Sequence, residues 1–388
     1  MNATRIALVT LALAGTTGLL AAAVPEDSGR FLVRLGRDTT SVERYTRTDS
    51  ELDIHQVGRS PRVLNRHFVY EYADGGVKKV TVTVTGAGGS VVQTIEGTAD
   101  PDSFRLVIRG ADGKPQRSAF ILPPGAILTS STSPWTGYES AIMRMASAKA
   151  DTMSLRYYYL GAPNPYALRL RRLGRDSVEM SNDHLDVFHF RVDRTGHLLG
   201  ALPISGTGKF TVTRMPTLDI EALGAAFAAD EKHGAGLGAL SPRDTVRTSD
   251  IAGASLWIDY SRPSARGRVI FGNVVPWGTV WRTGANAATQ FHTDHSLDFG
   301  GTVVPAGFYT LWTIPSPDGW KLIVNSQTGQ WGTEHDASKD LYTVNLRTET
   351  LPDPEEQFTI RVLPRTDGGV LQLDWATTRA SAEFKVAP

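Results

Sequence analysis

The sequence of 388 residues contains no cysteine. That excludes a disulfide framework, a thiolate nucleophile, a Cys-ligated zinc and an iron–sulfur centre. Net charge is also missing: 40 basic side chains balance 40 acidic ones. Nucleic-acid binding runs on a basic excess that displaces counterions, so no nucleic-acid partner is expected. No G-x-S-x-G elbow, H-E-x-x-H pair or dinucleotide fingerprint occurs, and no cofactor is expected. Gly206-Thr207-Gly208-Lys209-Phe210 lacks the spacing of a phosphate loop and leads into Thr211-Val212-Thr213, which reads as a β-turn. Internal repeats, coiled coils and low-complexity tracts are absent as well.

What is present starts with an export signal. Arg5 supplies a positive charge, Ile6 to Leu20 form an apolar stretch, and Ala21-Ala22-Ala23 offers a small-residue cleavage site before Val24-Pro25-Glu26-Asp27. Residues 1–23 therefore read as a cleaved signal peptide, which implies a periplasmic or secreted protein. With no cysteine at the cleavage site, a bacterial lipoprotein anchor is excluded. No later segment is long enough to span a bilayer, so no integral membrane segment is expected after cleavage.

The remainder is expected to be all-β. Val80, Val82 and Val84 alternate with Thr81 and Thr83, and Phe188, Phe190 and Val192 alternate with His189 and Arg191. Such period-2 alternation marks strands with one buried face. Asp74-Gly75-Gly76, Ala87-Gly88-Gly89 and Arg194-Thr195-Gly196 supply turns. Residues 24–216 read as a curved antiparallel sheet or barrel, interrupted by a short helix over Tyr138–Lys149. Its pattern weakly resembles periplasmic lipoprotein-carrier-type half barrels. In residues 217–239, Ile220, Leu223 and Phe227 share a helical face, and Gly234, Gly236 and Gly238 end the helix. That stretch is expected to be a helix and Gly-rich linker. Residues 240–388 return to alternation in Phe308–Ile314, Trp320–Val324, Tyr342–Leu346, Phe358–Val362 and Leu371–Trp375. An antiparallel β-sandwich is expected there. The basic excess falls in the first domain and an acidic excess in the second, so attraction between their faces is expected.

The second domain carries a recognisable order of blocks. Tyr260-Ser261-Arg262-Pro263-Ser264-Ala265-Arg266-Gly267-Arg268 precedes Ile270-Phe271-Gly272, Val275-Pro276-Trp277-Gly278 and Val280-Trp281-Arg282-Thr283-Gly284-Ala285-Asn286. Pro305-Ala306-Gly307-Phe308-Tyr309, Trp312-Thr313-Ile314-Pro315 and Gln330-Trp331-Gly332 follow. Over roughly residues 242–386 this resembles the bacterial family of unknown function DUF2911. The resemblance implies an exported protein and no assigned reaction. Its pattern carries an acid after the Asn of the Arg-Thr-Gly-Ala-Asn block; here that position is Ala287, which weighs against catalysis.

Three groups of residues invite chemistry. Arg282, Thr283 and Asn286 can line a cleft, with Trp277, Trp281 and Trp331 as stacking surfaces for a planar or sugar ligand. The competing structural reading places Trp281 in the core, Arg282 on an internal carboxylate and Gly284 in a tight loop. Trp312, Trp320 and Trp375 lie on apolar strand faces and read as core. His292, Asp294 and His295, with Glu334, His335 and Asp336, form a metal-like pattern, but histidines three apart on a strand point to opposite faces, so no metal site is expected. Arg169, Arg171, Arg172 and Arg175 are read as an exposed sheet face in preference to an anion-binding patch. The favoured expectation is a noncatalytic ligand-binding or envelope-associated protein taking a small-molecule, glycan or lipid ligand in the Trp/Arg/Asn cleft. The alternatives are a periplasmic hydrolase acting on a glycan or small ester in that cleft, and a carrier of an apolar ligand inside the N-terminal barrel.

Overall fold

The computed structural model describes residues 27–130, 134–161, 165–183 and 185–387. The proposed signal segment 1–23 lies outside the described residues. Among those described, nearly everything regular is strand, in two sheets of fifteen and nine strands with a short helix between them.

The first sheet has a simple logic. Strand Asp27–Leu35 pairs with Thr211–Arg214 at its centre, so the two ends of the domain meet. On one side the strands follow in chain order out to Pro115–Phe120; on the other they run backward to Ile127–Thr129. Neighbours in sequence are neighbours in space, as hairpin connections favour. All the pairings are antiparallel except Ile127–Thr129 against Thr152–Tyr159. The sheet curls strongly: Phe120, on one edge strand, stacks on Tyr158, next to the other edge, with ring centroids 5.3 Å apart.

Helix α1 (Trp135–Ser147) fills the concave side. It overlaps the helix expected at Tyr138–Lys149. Its Ala141, Ile142 and Met145 are buried in the same core as Phe31, Phe68, Phe104 and Phe190. Pro134 at the helix start offers no side-chain cap. The cap comes instead from Glu43 on strand Asp38–Arg47, which accepts the Trp135 and Thr136 N–H groups at 2.9 and 2.8 Å. A carboxylate at this positive end satisfies donors that have no partner inside the helix. Further along α1, fully buried Glu139 accepts from the Leu198 N–H at 2.8 Å and from Arg214 at 2.6 Å, and also from the Tyr45 hydroxyl.

Helix α2 (Ile220–Lys232) is capped by Asp219, whose side chain accepts the Ala222 N–H at 2.9 Å. Ile220 and Phe227 bury against Val42, Val57 and Val63, so the helix docks on the first sheet. The glycine segment after it is tied down by the Ser60 hydroxyl, which donates to the Gly238 carbonyl at 2.9 Å.

The second sheet runs from Arg243–Ile251 at one edge to the short strand Val303–Val304 at the other. Two long strands, Asp340–Arg365 and Gly368–Val386, bend it back on itself. The Ala265 N–H donates to Glu356 O at 2.7 Å and the Phe358 N–H to Pro263 O at 2.9 Å, closing one end. The interior is aromatic: Trp281 stacks on Trp375 at 5.6 Å, with Phe358, Trp320 and Phe271 packed edge-on around them. Trp312, Trp320 and Trp375 are buried. Trp312 is on the opposite face of its strand from Leu311, in a small cluster with Ala288 and Ile323.

The domains touch. Arg266 pairs with Asp38 at 2.6 Å, and the Arg37 N–H donates to Arg266 O at 3.1 Å. This part-buried pair runs against the bulk charges, since the cation belongs to the acidic domain. Gly36 sits where a Cβ would fall 2.4 Å from the Arg266 carbonyl oxygen, and its φ of +61° suits glycine.

Candidate functional site: a cationic cleft between the sheets

The loop 276–289 owes its shape to two anchors. Trp281 exchanges a pair of 2.8 Å hydrogen bonds with Thr313 on the central strand Gly307–Ile314. Its indole N–H donates to Gly284 O at 3.1 Å. Between these anchors Thr283 takes φ +52°, and Asn286 just beyond them φ +61°. A β-branched residue in the left-handed region is uncommon and costs about 1–3 kcal/mol, so the surrounding contacts must hold it. Thr283 is fully buried, its hydroxyl 3.3 Å from that of Thr313, and its carbonyl accepts from the Thr289 hydroxyl at 2.7 Å.

Held this way, the loop presents Arg282 and Asn286 to a concavity of about 440 Å³ between the two domains. The second domain contributes Arg268, Trp281, Arg282, Asn286, Gly332 and His335; the first contributes Leu35, Leu185, Ser205, Thr207 and Lys209. Arg282 is only partly solvent-exposed, and its Nε is buried without a hydrogen-bond partner. Burial lowers its pKa to about 10, against the pull of Asp186. Asp186 is itself occupied: its Oδ1 accepts the Thr207 and Gly208 N–H groups at 2.8 and 3.2 Å. Lys209 is lowered by burial and then by the field of Arg282. Arg268 is pushed down to about 10 by burial and then by Arg266, and it donates to the Ala265 and Ser264 carbonyls at 3.0 and 2.6 Å. Among the described residues, the lining of the cleft thus holds three cations and no carboxylate, although Glu356 and Asp38 also act on Arg268 from outside it.

The site residues read from sequence divide. Trp281, Arg282 and Asn286 line the cleft, though the Trp281 indole belongs to the core. Thr283 points inward and serves the loop. Trp277 and Trp331 are half-exposed outside the lining; Trp277 stacks on Phe271 at 6.1 Å. Sequence reasoning missed Lys209 and Asp186, because they come from the other domain. It also missed His335 as a cleft residue: its Nε2 lies 2.9 Å from Asp340 and its ring packs on Trp312 at 4.8 Å. Gly332 admits the Arg282 stem; a Cβ there would fall 1.9 Å from Arg282 Cδ.

Elsewhere, Arg169 and Arg171 pair with Asp183 and Glu179 at 2.6 and 2.7 Å on an exposed face. His295 pairs with its neighbour Asp294 at 2.8 Å, while the His292 ring packs on Phe308 at 4.1 Å. A second opening of about 680 Å³ lies in the first domain, lined by Leu52, Ile54, Tyr70, Phe104, Leu122 and Arg144 among others.

With two β-sheets and only short helices among the described residues, this is a two-sheet, all-β protein. Residues 241–384 match DUF2911, described as a protein of unknown function, which places the family in the second domain. No curated protein matches the chain. Among solved structures, a DUF1089 family protein from Pseudomonas aeruginosa is 16% identical and aligns over 42% of this chain and 90% of its own, with a TM-score of 0.30. A β-barrel-like protein of the domain of unknown function DUF1849 from Brucella abortus is 9% identical over 49% of this chain and 94% of its own, with a TM-score of 0.34. No helix among the described residues is long and apolar enough to cross a membrane.

Proposed function

We propose that this is an exported, noncatalytic binding protein whose cleft takes a small anion-bearing ligand, a carboxylate or phosphate, between the two sheets. One observation carries the reading: the Nε of half-buried Arg282 is buried and unsatisfied at the wall of an open cleft, beside two further cations. An unpaired buried donor is costly, and mutual repulsion among cations adds to it. A bound anion would relieve both, and the planar guanidinium fork suits oxyanions. The rigid, strained loop fits a site that is formed before the ligand arrives.

The hydrolase alternative retains a single support, the His335–Asp340 pair at the cleft wall, since a carboxylate-oriented imidazole is the usual general base. A thermal-shift panel of phosphate-bearing, carboxylate-bearing and uncharged glycan and lipid-headgroup ligands tests the proposal. An anion should raise the wild-type midpoint and fail to raise that of Arg282→Ala. Stabilisation by uncharged ligands alone, or equal shifts in both proteins, would sink it. Turnover of an ester or glycan that His335→Ala abolishes would favour the hydrolase.

A further inference from the structure

On the outer face of the first sheet, far in sequence from the cleft residues, a second constellation forms from two adjacent strands. Asp53 and His55 are two apart on strand Glu51–Gly58, so they share a face. The antiparallel register sets His67, on Leu64–Ala73, directly opposite His55. Residues facing each other across a pair hold their Cβ atoms about 4.5–5.5 Å apart, close enough for two imidazoles to converge. They do converge: the rings stack at 4.1 Å, only 18° from parallel. Both Nε2 atoms turn to the same carboxylate, His67 at 2.7 Å from Asp53 Oδ2 and His55 at 3.3 Å from Oδ1. Among the described residues this is the group of three or more His, Asp or Glu whose ligand atoms lie within 4.8 Å of one another.

We propose that Asp53, His55 and His67 bind one divalent transition-metal ion of the zinc type. Two imidazoles and one carboxylate are a nitrogen–oxygen set matched to zinc, with bonds of about 2.0–2.2 Å that small side-chain rotations can supply. The ion would take the place of the direct His67–Asp53 and His55–Asp53 contacts. Arg44, opposite His55, is drawn off by Glu221 of α2 at 2.9 Å. A groove of about 510 Å³, lined also by Asn65, Thr83 and Glu221, leaves room for solvent or a further ligand on the open side. The site is independent of the cleft and of the function proposed for it.

Titration of the tag-free full chain with zinc by calorimetry, and with cobalt by visible absorption, tests this. One ion per chain is expected. Loss of outer-sphere support alone weakens metal sites about 10–100-fold, so His67→Ala or His55→Ala, each losing a direct ligand, should weaken binding by about 100-fold or more. His292→Ala should leave it unchanged. Zinc should raise the thermal midpoint of the wild type and not that of His55→Ala/His67→Ala, whose metal-free circular dichroism reports whether it folds. Absence of binding to the wild type, or unchanged affinity in folded His67→Ala, would overturn the proposal.

Discussion

The two sheets fill their interiors differently. The second folds onto itself around an aromatic stack in which Trp281, Trp375 and Phe358 pack against one another. The first wraps around a helix, and a helix inside a sheet brings polar ends with it. Glu43 and Glu139 answer that need as buried carboxylates, one capping α1 and the other wiring it to Tyr45, Arg214 and Leu198. The curved sheet that encloses a helix commits its buried carboxylates to that helix, whereas the sheet that closes on itself pairs its buried Asp374 with Arg361 and Arg379 of its own strands and fills its interior with aromatic rings.

Glu139→Ala should have the largest effect on the first domain. It strips the partner from Arg214 and from the buried Leu198 N–H, and breaking a buried pair costs about 3–5 kcal/mol. Chemical denaturation should show the first domain unfolding early while the second persists. Trp135, the single tryptophan before residue 250, reports the first domain once the other seven are replaced or resolved. Simultaneous loss of both domains would show that they share one cooperative unit.

Next in size is pH. Burial pushes Glu43 up to about 7 from 4.5, ahead of the hydrogen bonds that oppose it. The folded state then holds the proton more tightly than the unfolded one. Its contribution is complete below pH 4.5 and is lost as pH rises through about 7, a change on the order of 3 kcal/mol. His55 works in the opposite direction, because its lowered pKa costs stability as pH falls below 6.5. The difference between wild type and Glu43→Gln across pH 4.5–7.5 isolates the carboxyl. The wild type should lose stability relative to the variant as pH rises; parallel profiles would contradict the account.

Gly332→Ala probes the packing of the second domain. The added Cβ meets Arg282 Cδ at 1.9 Å and Asn286 O at 2.3 Å, so overpacking should cost about 1–3 kcal/mol, confined to the second domain. A variant with wild-type stability would mean the Arg282 stem moves freely.

Much of the fold was legible in the sequence because period-2 alternation is local. Val80, Val82 and Val84 are all buried, as are Phe188, Phe190 and Val192. The α2 face was equally plain, since Ile220 and Phe227 fall one helical stripe apart and both bury. The sites were only half legible. Arg282 and Asn286 stood out in a dense loop, but nothing near them in sequence announces Lys209 or Asp186. Asp53 and His55 share a visible i, i+2 spacing; the register that places His67 opposite is a property of the hairpin. Trp281 reads as a loop residue by its glycine neighbours, and the strand exchange with Thr313 turns it inward.

The central claim is that the unsatisfied Arg282 in the shared cleft recognises an anion. Isothermal titration of the most stabilising anion from the panel into wild type and Arg282→Ala tests it most directly. The account predicts a 1:1 complex that the variant weakens by about 30-fold or more, roughly 2 kcal/mol. Binding of equal strength in a folded Arg282→Ala protein would contradict it.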